Sequence, residues 1–261
     1  MRRVLLTLCA LAICTTAFAW GRLGHEIVIA VAQRHLTERA KANIAKYIDY
    51  DLKKDAVWMD EHRRDEPIAY TTHYHVFACD KNLRYDPNYR LAEGGDVVYA
   101  LALSEYNLGS ENYKNLTDSA AIFNIRMLIH FMGDMHCPVH THIEGVKTIW
   151  KCKLNGKEWV KFHPIYDKIP MMIYGKKADP DAVAAKIDNI KKSEIKRVVK
   201  GDIVDWACDA AKVSSLIYNI NPIGTYDLDP KTIEKSQPIV ERQLRNAGYR
   251  LAAKLNEYFD N

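Results

Sequence analysis

Apolar positions along this chain recur mostly at helical spacing. Residues Ala120 to His136 (AAIFNIRMLIHFMGDMH) read as one apolar helix, with Thr117 or Asp118 as its cap and Pro138 ending it. Upstream, His25 opens a helical pattern that runs to about Leu36. Thr37 then has the character of an N-cap, and a second helix follows to about Tyr50. The spacing returns from Asp96 to about Leu108, where Gly109 stops it. His163-Pro164 starts another helix, with proline at its first position. Stretches 179–200, 201–218 and 231–259 complete the helical set. The last carries Ile239, Leu244, Ala247, Leu251 and Leu255 on one stripe, and Trp206 is an expected core residue.

Two stretches break the helical period. Thr71 to Asp80 (TTHYHVFACD) is rich in β-branched and aromatic residues and reads as a short strand or an extended loop. Asn155-Gly156 separates two alternating runs, TIWKCKL and KEWVKF, which is a hairpin signal. Stretches 86–95 and 222–230 read as loops, and no repeat or change of composition marks a domain boundary. The pattern predicts an all-α fold, a single multi-helix domain with one small β-hairpin.

Composition adds little to this. The chain has 261 residues, 48% hydrophobic and 27% charged, which is ordinary for a globular protein. Its first residues carry more information. Arg2 and Arg3, the apolar run Val4 to Thr15 and the small-x-small Ala17-Phe18-Ala19 have the form of a secretory leader. We expect cleavage after Ala19 and export, to the periplasm or beyond. The apolar run is too short for a permanent span and no other stretch is long enough, so no stable membrane insertion is expected. Loss of residues 1–19 removes Arg2 and Arg3 and lowers the formal charge from +4 to +2, too little to argue for a nucleic-acid partner by charge. The basic run around Lys191, Lys192, Lys196 and Arg197 is interleaved with Asp188 and Glu194 and reads as a solvated helix face. Four cysteines remain, Cys79, Cys137, Cys152 and Cys208. In an exported chain they point to two disulfides, with three connectivities open; zinc ligation by thiolate is the alternative, disfavoured because no Cys-x-x-Cys pair exists and histidine and aspartate already supply enough donors.

The candidate chemistry lies on the central helix. His130 and Asp134 stand four apart and share a face, and His140 follows just beyond the helix end. A lone histidine on an apolar helix is usually a satisfied core residue. Three nitrogen and oxygen donors within eleven residues outweigh that reading and suit zinc. His163 and Asp167 repeat the four-residue spacing. Trp20 (through the α-amine and carbonyl it would have after cleavage), His25, Asp60 and His75 bring the donors to nine, enough for three metals. His73 is the main rival to His75. His136 is a candidate for orienting a ligand, and His35 and His62 read as surface or packing residues.

Several motifs carry a resemblance. They are Trp-Gly-x-x-Gly-His from Trp20, Trp-x-Asp-Glu-His-Arg from Trp58, His-Phe-x-Gly-Asp-x-His-x-Pro-x-His from His130, His-x-x-x-Asp from His163 and Ala-Gly-x-Arg-Leu-Ala from Ala247. In this order and at these separations the chain resembles the zinc-dependent S1/P1 nuclease family, related to bacterial zinc phospholipase C, over nearly all of its length after residue 19. The resemblance implies three zinc ions. One would be held by Asp60, His75, His130 and Asp134, and a second by His140, His163 and Asp167. The third would use the amine and carbonyl of Trp20 with His25 and Asp134, so leader cleavage would complete the site. It further implies a hydroxide bridging two ions, with Asp60 also orienting the nucleophile and Arg63 gripping the phosphate. The implied reaction is cleavage of single-stranded DNA or RNA to 5′-phosphorylated products and of 3′-nucleotides, by a monomer. Cys79–Cys208 and Cys137–Cys152 are the disulfides it implies.

The likeness thins at base recognition. Val76 and Ala78 stand where the family has a stacking phenylalanine and a base-reading aspartate, Ile143-Glu144-Gly145-Val146 replaces a Gly-Gly-Asn, and Tyr166 replaces a tryptophan. Phe77 is the remaining aromatic candidate for stacking. Two other readings follow: a phospholipase C-like or other phosphodiesterase with the same metals, and a zinc-binding protein without catalysis.

Overall fold

The computed structural model describes residues 20–49, 51–87, 94–146, 151–220 and 226–260. Helix α1 spans Arg22–His35, and its apolar residues Ile27, Val28, Ile29 and Val31 are fully buried. Helix α2 spans Glu38–Ile44. Thr37 is its N-cap as expected, its hydroxyl accepting from the Ala40 amide at 3.1 Å. A 3-10 turn at Leu52–Asp55 leads to α3 (Trp58–His62), and a second at Ile68–His73 leads to strand β1 (Phe77–Cys79). Helix α4 (Val97–Leu108) is capped by Asp96, which accepts from the Tyr99 amide at 2.9 Å, and it stops at Gly109. The central helix α5 spans Asp118–Met135, with Thr117 as its N-cap.

Beyond α5 come a 3-10 turn at Pro138–His140 and strand β2 (Thr141–Ile143). Strands β3 (Lys151–Leu154) and β4 (Glu158–Lys161) form the expected hairpin. Asn155 and Gly156 turn it with φ of 52° and 67°, the left-handed pair that such a two-residue turn requires. Helices α6 (Phe162–Tyr166), α7 (Ile169–Tyr174), α8 (Pro180–Ile187), α9 (Lys192–Val198) and α10 (Ile203–Ile220) follow. Strand β5 (Asp227–Leu228) and the long α11 (Pro230–Phe259) close the chain.

The mainly helical fold expected from the pattern is what forms, though α2 ends at Ile44 and not near Tyr50, α6 begins at Phe162 with Pro164 third, and three further details differ. The stretch 179–200 is two helices, because Asp188 leaves the helical path to accept from Arg34 Nε at 2.7 Å and from the Tyr249 hydroxyl at 2.7 Å. Stretch 71–80 is half 3-10 turn and half strand. The strand exists because β1 pairs in parallel with β2, Phe77 opposite Thr141. The two-residue β5 extends the hairpin on the far side of β3 and is too short to signal itself.

One connected set of buried side chains runs from Trp20 to Phe259. Helix α11 lies along α1 and reaches α5, while α4 flanks α5. At Gly248 a Cβ would fall 2.5 Å from Val31 Cβ, so a glycine is what lets α11 approach α1 this closely. Among the described residues no helix is long and apolar enough to cross a membrane.

Candidate metal centre

Helix α5 supplies the middle of the site. His130 and Asp134 project from one face, with His130 Nε2 3.4 Å from Asp134 Oδ2. Helix α1 lays His25 beside them. The His25 and His130 rings stack at 4.2 Å, and His25 Nε2 is 3.2 Å from Asp134 Oδ1. This contact depends on Gly133, where a Cβ would sit 2.7 Å from His25 Nδ1. Helix α3 adds Asp60, its Oδ1 3.7 Å from His130 Nε2, and Arg63 follows with Nη1 3.9 Å from the same oxygen.

A second group lies beyond the end of α5. His140 Nε2 is 2.9 Å from His163 Nε2 and 3.7 Å from Asp167 Oδ1, and His163 Nε2 is 3.5 Å from Asp167 Oδ2. His75 stands between the two groups. Its ring centroid is 5.6 Å from that of His140 and 6.1 Å from that of His163, and it also feels the charges of Asp134 and Arg63. Trp20 is fully buried, and the next residue ties the N-terminal segment to the second group, Gly21 N donating to Asp167 O at 2.7 Å. Eight of the nine expected donor residues therefore lie in one cluster, and Trp20 is joined to it through its neighbour Gly21.

Backbone carbonyls set the tautomers. His130 Nδ1–H donates to Ala56 O at 2.9 Å and His75 Nδ1–H to Thr72 O at 2.9 Å, which turns each Nε2 lone pair inward. His136 is different. Its Nδ1–H donates to Met132 O at 2.8 Å and its Nε2 accepts from Arg250 Nη1 at 2.8 Å, so both nitrogens are used. It joins the end of α5 to α11 and holds no free donor.

The electrostatics are those of donors without an acceptor. Burial alone would lower His130, but the Asp134 and Asp60 carboxylates outweigh it and raise it to about 9. Burial works against ionised Asp134, but His130 and His25 overcome it and hold the carboxyl below the usual range. Burial pushes Asp60 up, and it pushes Asp167 up together with the charges of Asp134 and Asp60. Burial lowers His25 and His75, and it lowers His140 with the help of His163. Burial, with His75 close by, lowers His163 to about 4.

Whether the residues fit metal ions is tested by their unmet polar atoms. Both ring nitrogens of His25, both carboxylate oxygens of Asp134, Asp60 Oδ2, His140 Nδ1 and Asp167 Oδ2 are buried without a hydrogen-bond partner. Several orphaned atoms in one place are costly unless something satisfies them. Histidine nitrogens with carboxylate oxygens form a donor set suited to zinc. Two trios of donors are close enough to share an ion, His25 with Asp60 and His130, and Cys137 with His140 and Asp167.

Residues 20–260 match the family model of the S1/P1 nucleases. The chain belongs to the S1/P1 nuclease family. As an S1/P1 nuclease family member it is 26% identical to Nuclease S1 of Aspergillus oryzae over 94% of each chain. It is 26% identical to Nuclease P1 of Penicillium citrinum, over 91% of this chain and 97% of that one. To Endonuclease 2 of Arabidopsis thaliana it is 27% identical, over 92% and 90%.

Two expectations change against the structure of this family member. Phe77 is fully buried in β1, beside Tyr85, so it offers no face for stacking a base. Ala78 is buried as well, while Tyr70 and Tyr99 are the exposed aromatics around Tyr74. The four cysteines are free thiols, and neither the Cys79–Cys208 nor the Cys137–Cys152 disulfide is formed. Instead Cys137 Sγ lies 3.8 Å from Asp167 Oδ1, a contact no local pattern in the sequence announces.

Proposed function

We propose that this chain is an exported zinc-dependent phosphoesterase. It cleaves phosphodiester bonds of single-stranded nucleic acid, leaving 5′-phosphorylated products, and removes phosphate from 3′-nucleotides. The single observation that carries this is the cluster of buried, unpartnered nitrogen and carboxylate donors around Asp134, with Arg63 beside it, in a chain of the S1/P1 nuclease family. The names of the relatives, Nuclease S1 and Nuclease P1, support the substrate class.

Asp60, His75, His130 and Asp134 would hold one ion, His140, His163 and Asp167 a second, and Trp20, His25 and Asp134 a third. When bound, the ions supply an activated water as nucleophile and positive charge for the leaving oxygen. The protein's own part is positional. Asp134 faces both His25 and His130, so it is placed to be shared by two ions. Asp60 faces His130 and Arg63 together, which joins the donor cluster to a guanidinium able to grip two phosphate oxygens. The half-open His163 leaves the second group reachable from solvent, while His25, His130 and Asp134 are sealed.

Protein beginning at Trp20 and loaded with zinc is expected to cut single-stranded DNA and to release phosphate from a 3′-mononucleotide. A chelator should abolish both, and a phosphatidylcholine dispersion should stay intact. Lipid cleavage alone would move the chain to the phospholipase C-like reading. No hydrolysis of any of the three with metal bound would leave a zinc protein without catalysis.

A further inference from the structure

Cys137 is a free thiol in the buried core, and its sulfur lies against polar donors. It is fully buried at the exit of α5, where a 3-10 turn closes with His140 N donating to Cys137 O at 3.0 Å. A 3-10 turn has three residues per turn, so side chains at i and i+3 eclipse. Cys137 and His140 are such a pair. Cys137 Sγ is 3.8 Å from Asp167 Oδ1, and His140 Nε2 is 3.7 Å from that same oxygen. The sulfur, a His140 nitrogen and an Asp167 oxygen all fall within 4.8 Å of one another. Asp167 is 1% exposed, and its other oxygen is buried without a hydrogen-bond partner. Tetrahedral bonds of about 2.0–2.3 Å give ligand–ligand edges of about 3.3–3.8 Å, so the separations of Asp167 Oδ1 from Cys137 Sγ and from His140 Nε2 already lie within that range.

We propose that Cys137 is a sulfur donor to the metal held by His140 and Asp167. The inference rests on the metal-dependent reading above and adds a ligand to it. On binding, the thiol proton leaves to solvent and the thiolate takes its place on the metal. Thiolate sulfur, imidazole nitrogen and carboxylate oxygen are all ordinary zinc donors. The alternative is that the thiol only donates to Asp167 and keeps that carboxylate in place.

Cobalt(II) separates the two. Zinc is exchanged for cobalt in the protein, and the near-ultraviolet sulfur-to-cobalt charge-transfer band is recorded with the bound cobalt counted. A band is expected in the unaltered protein and in Cys79→Ser and Cys152→Ser, and its loss in Cys137→Ser and Cys137→Ala. Cobalt bound without the band, or a band that survives in Cys137→Ser, overturns the sulfur ligand while leaving the metal-dependent reading intact. Failure to bind any metal overturns both. X-ray absorption on the unaltered zinc-loaded protein gives an answer even if the variants misfold. A sulfur scatterer at about 2.3 Å supports the proposal, and a shell of nitrogen and oxygen alone refutes it.

Discussion

Asp134 carries its charge in full burial because His130 and His25 lie against it, and this balance governs how the metal-free protein should respond to pH. Burial lowers His163 to about 4, and burial with Arg250 lowers His136 to about 3, both from an ordinary 6.5. Between those values and 6.5 the unfolded chain binds protons that the folded one does not. Stability therefore rises with pH across that window, by up to about 1.4 kcal/mol per pH unit for each group. His130 has the opposite sign. Raised to about 9, it contributes fully below 6.5 and fades as pH climbs through 9. Urea melts of the chelated protein should show greatest stability near pH 6.5, with a steady loss down to pH 4. The raised carboxyls of Asp60 and Asp167 work with the opposite sign, so a profile flat over that acid range would mean that they balance the buried, neutral histidines. At this scale the sequence was most legible where donors share one helix, as His130 and Asp134 do. Thiolate ligation was set aside for want of a Cys-x-x-Cys pair, because the neighbour of Cys137, Asp167, is thirty residues away and reaches it only through the fold.

Helix α5 works as a platform because one of its positions has no side chain. His25 occupies the space over Gly133, so the α1–α5 contact and the stacking on His130 are set by a missing Cβ. In Gly133→Ala, helix propensity improves by roughly 0.5–1 kcal/mol, but the clash with a fully buried ring costs about 1–3 kcal/mol. The variant should melt lower than the parent and bind fewer metal ions per chain, as read by calorimetry and metal analysis. Equal stoichiometry would mean that His25 is no ligand. The helices themselves were legible, since caps at Thr37, Asp96 and Thr117 and the stop at Gly109 fall where the side-chain chemistry puts them. The stretch around His75 was less so. Its extended half depends on pairing with β2, a partner more than sixty residues on, and its first half coils into a 3-10 turn before that pairing begins.

Across the whole molecule, donors and support come from different parts of the chain. All nine expected donors lie between Trp20 and Asp167, yet the helices that carry them are braced from further on. Helix α11 packs on α1 and α5, Gln243 donates to His136 O at 3.0 Å, Arg250 holds the His136 ring, and α10 rests on the turn that carries His140. A fragment ending before Pro230 keeps every donor and loses this brace. It should bind cobalt at least tenfold more weakly than the full chain in competition with a chelator, and equal affinity would show the brace to be dispensable. The bracing by α11 also sets an order of events in the life of the molecule. Every one of these histidines and carboxylates precedes α11 in the chain, so each is synthesised before the helix that braces its neighbours. If these donors bind an ion, the choice among ions falls to the metals present where α11 packs, not to those met by histidines that are still unbraced.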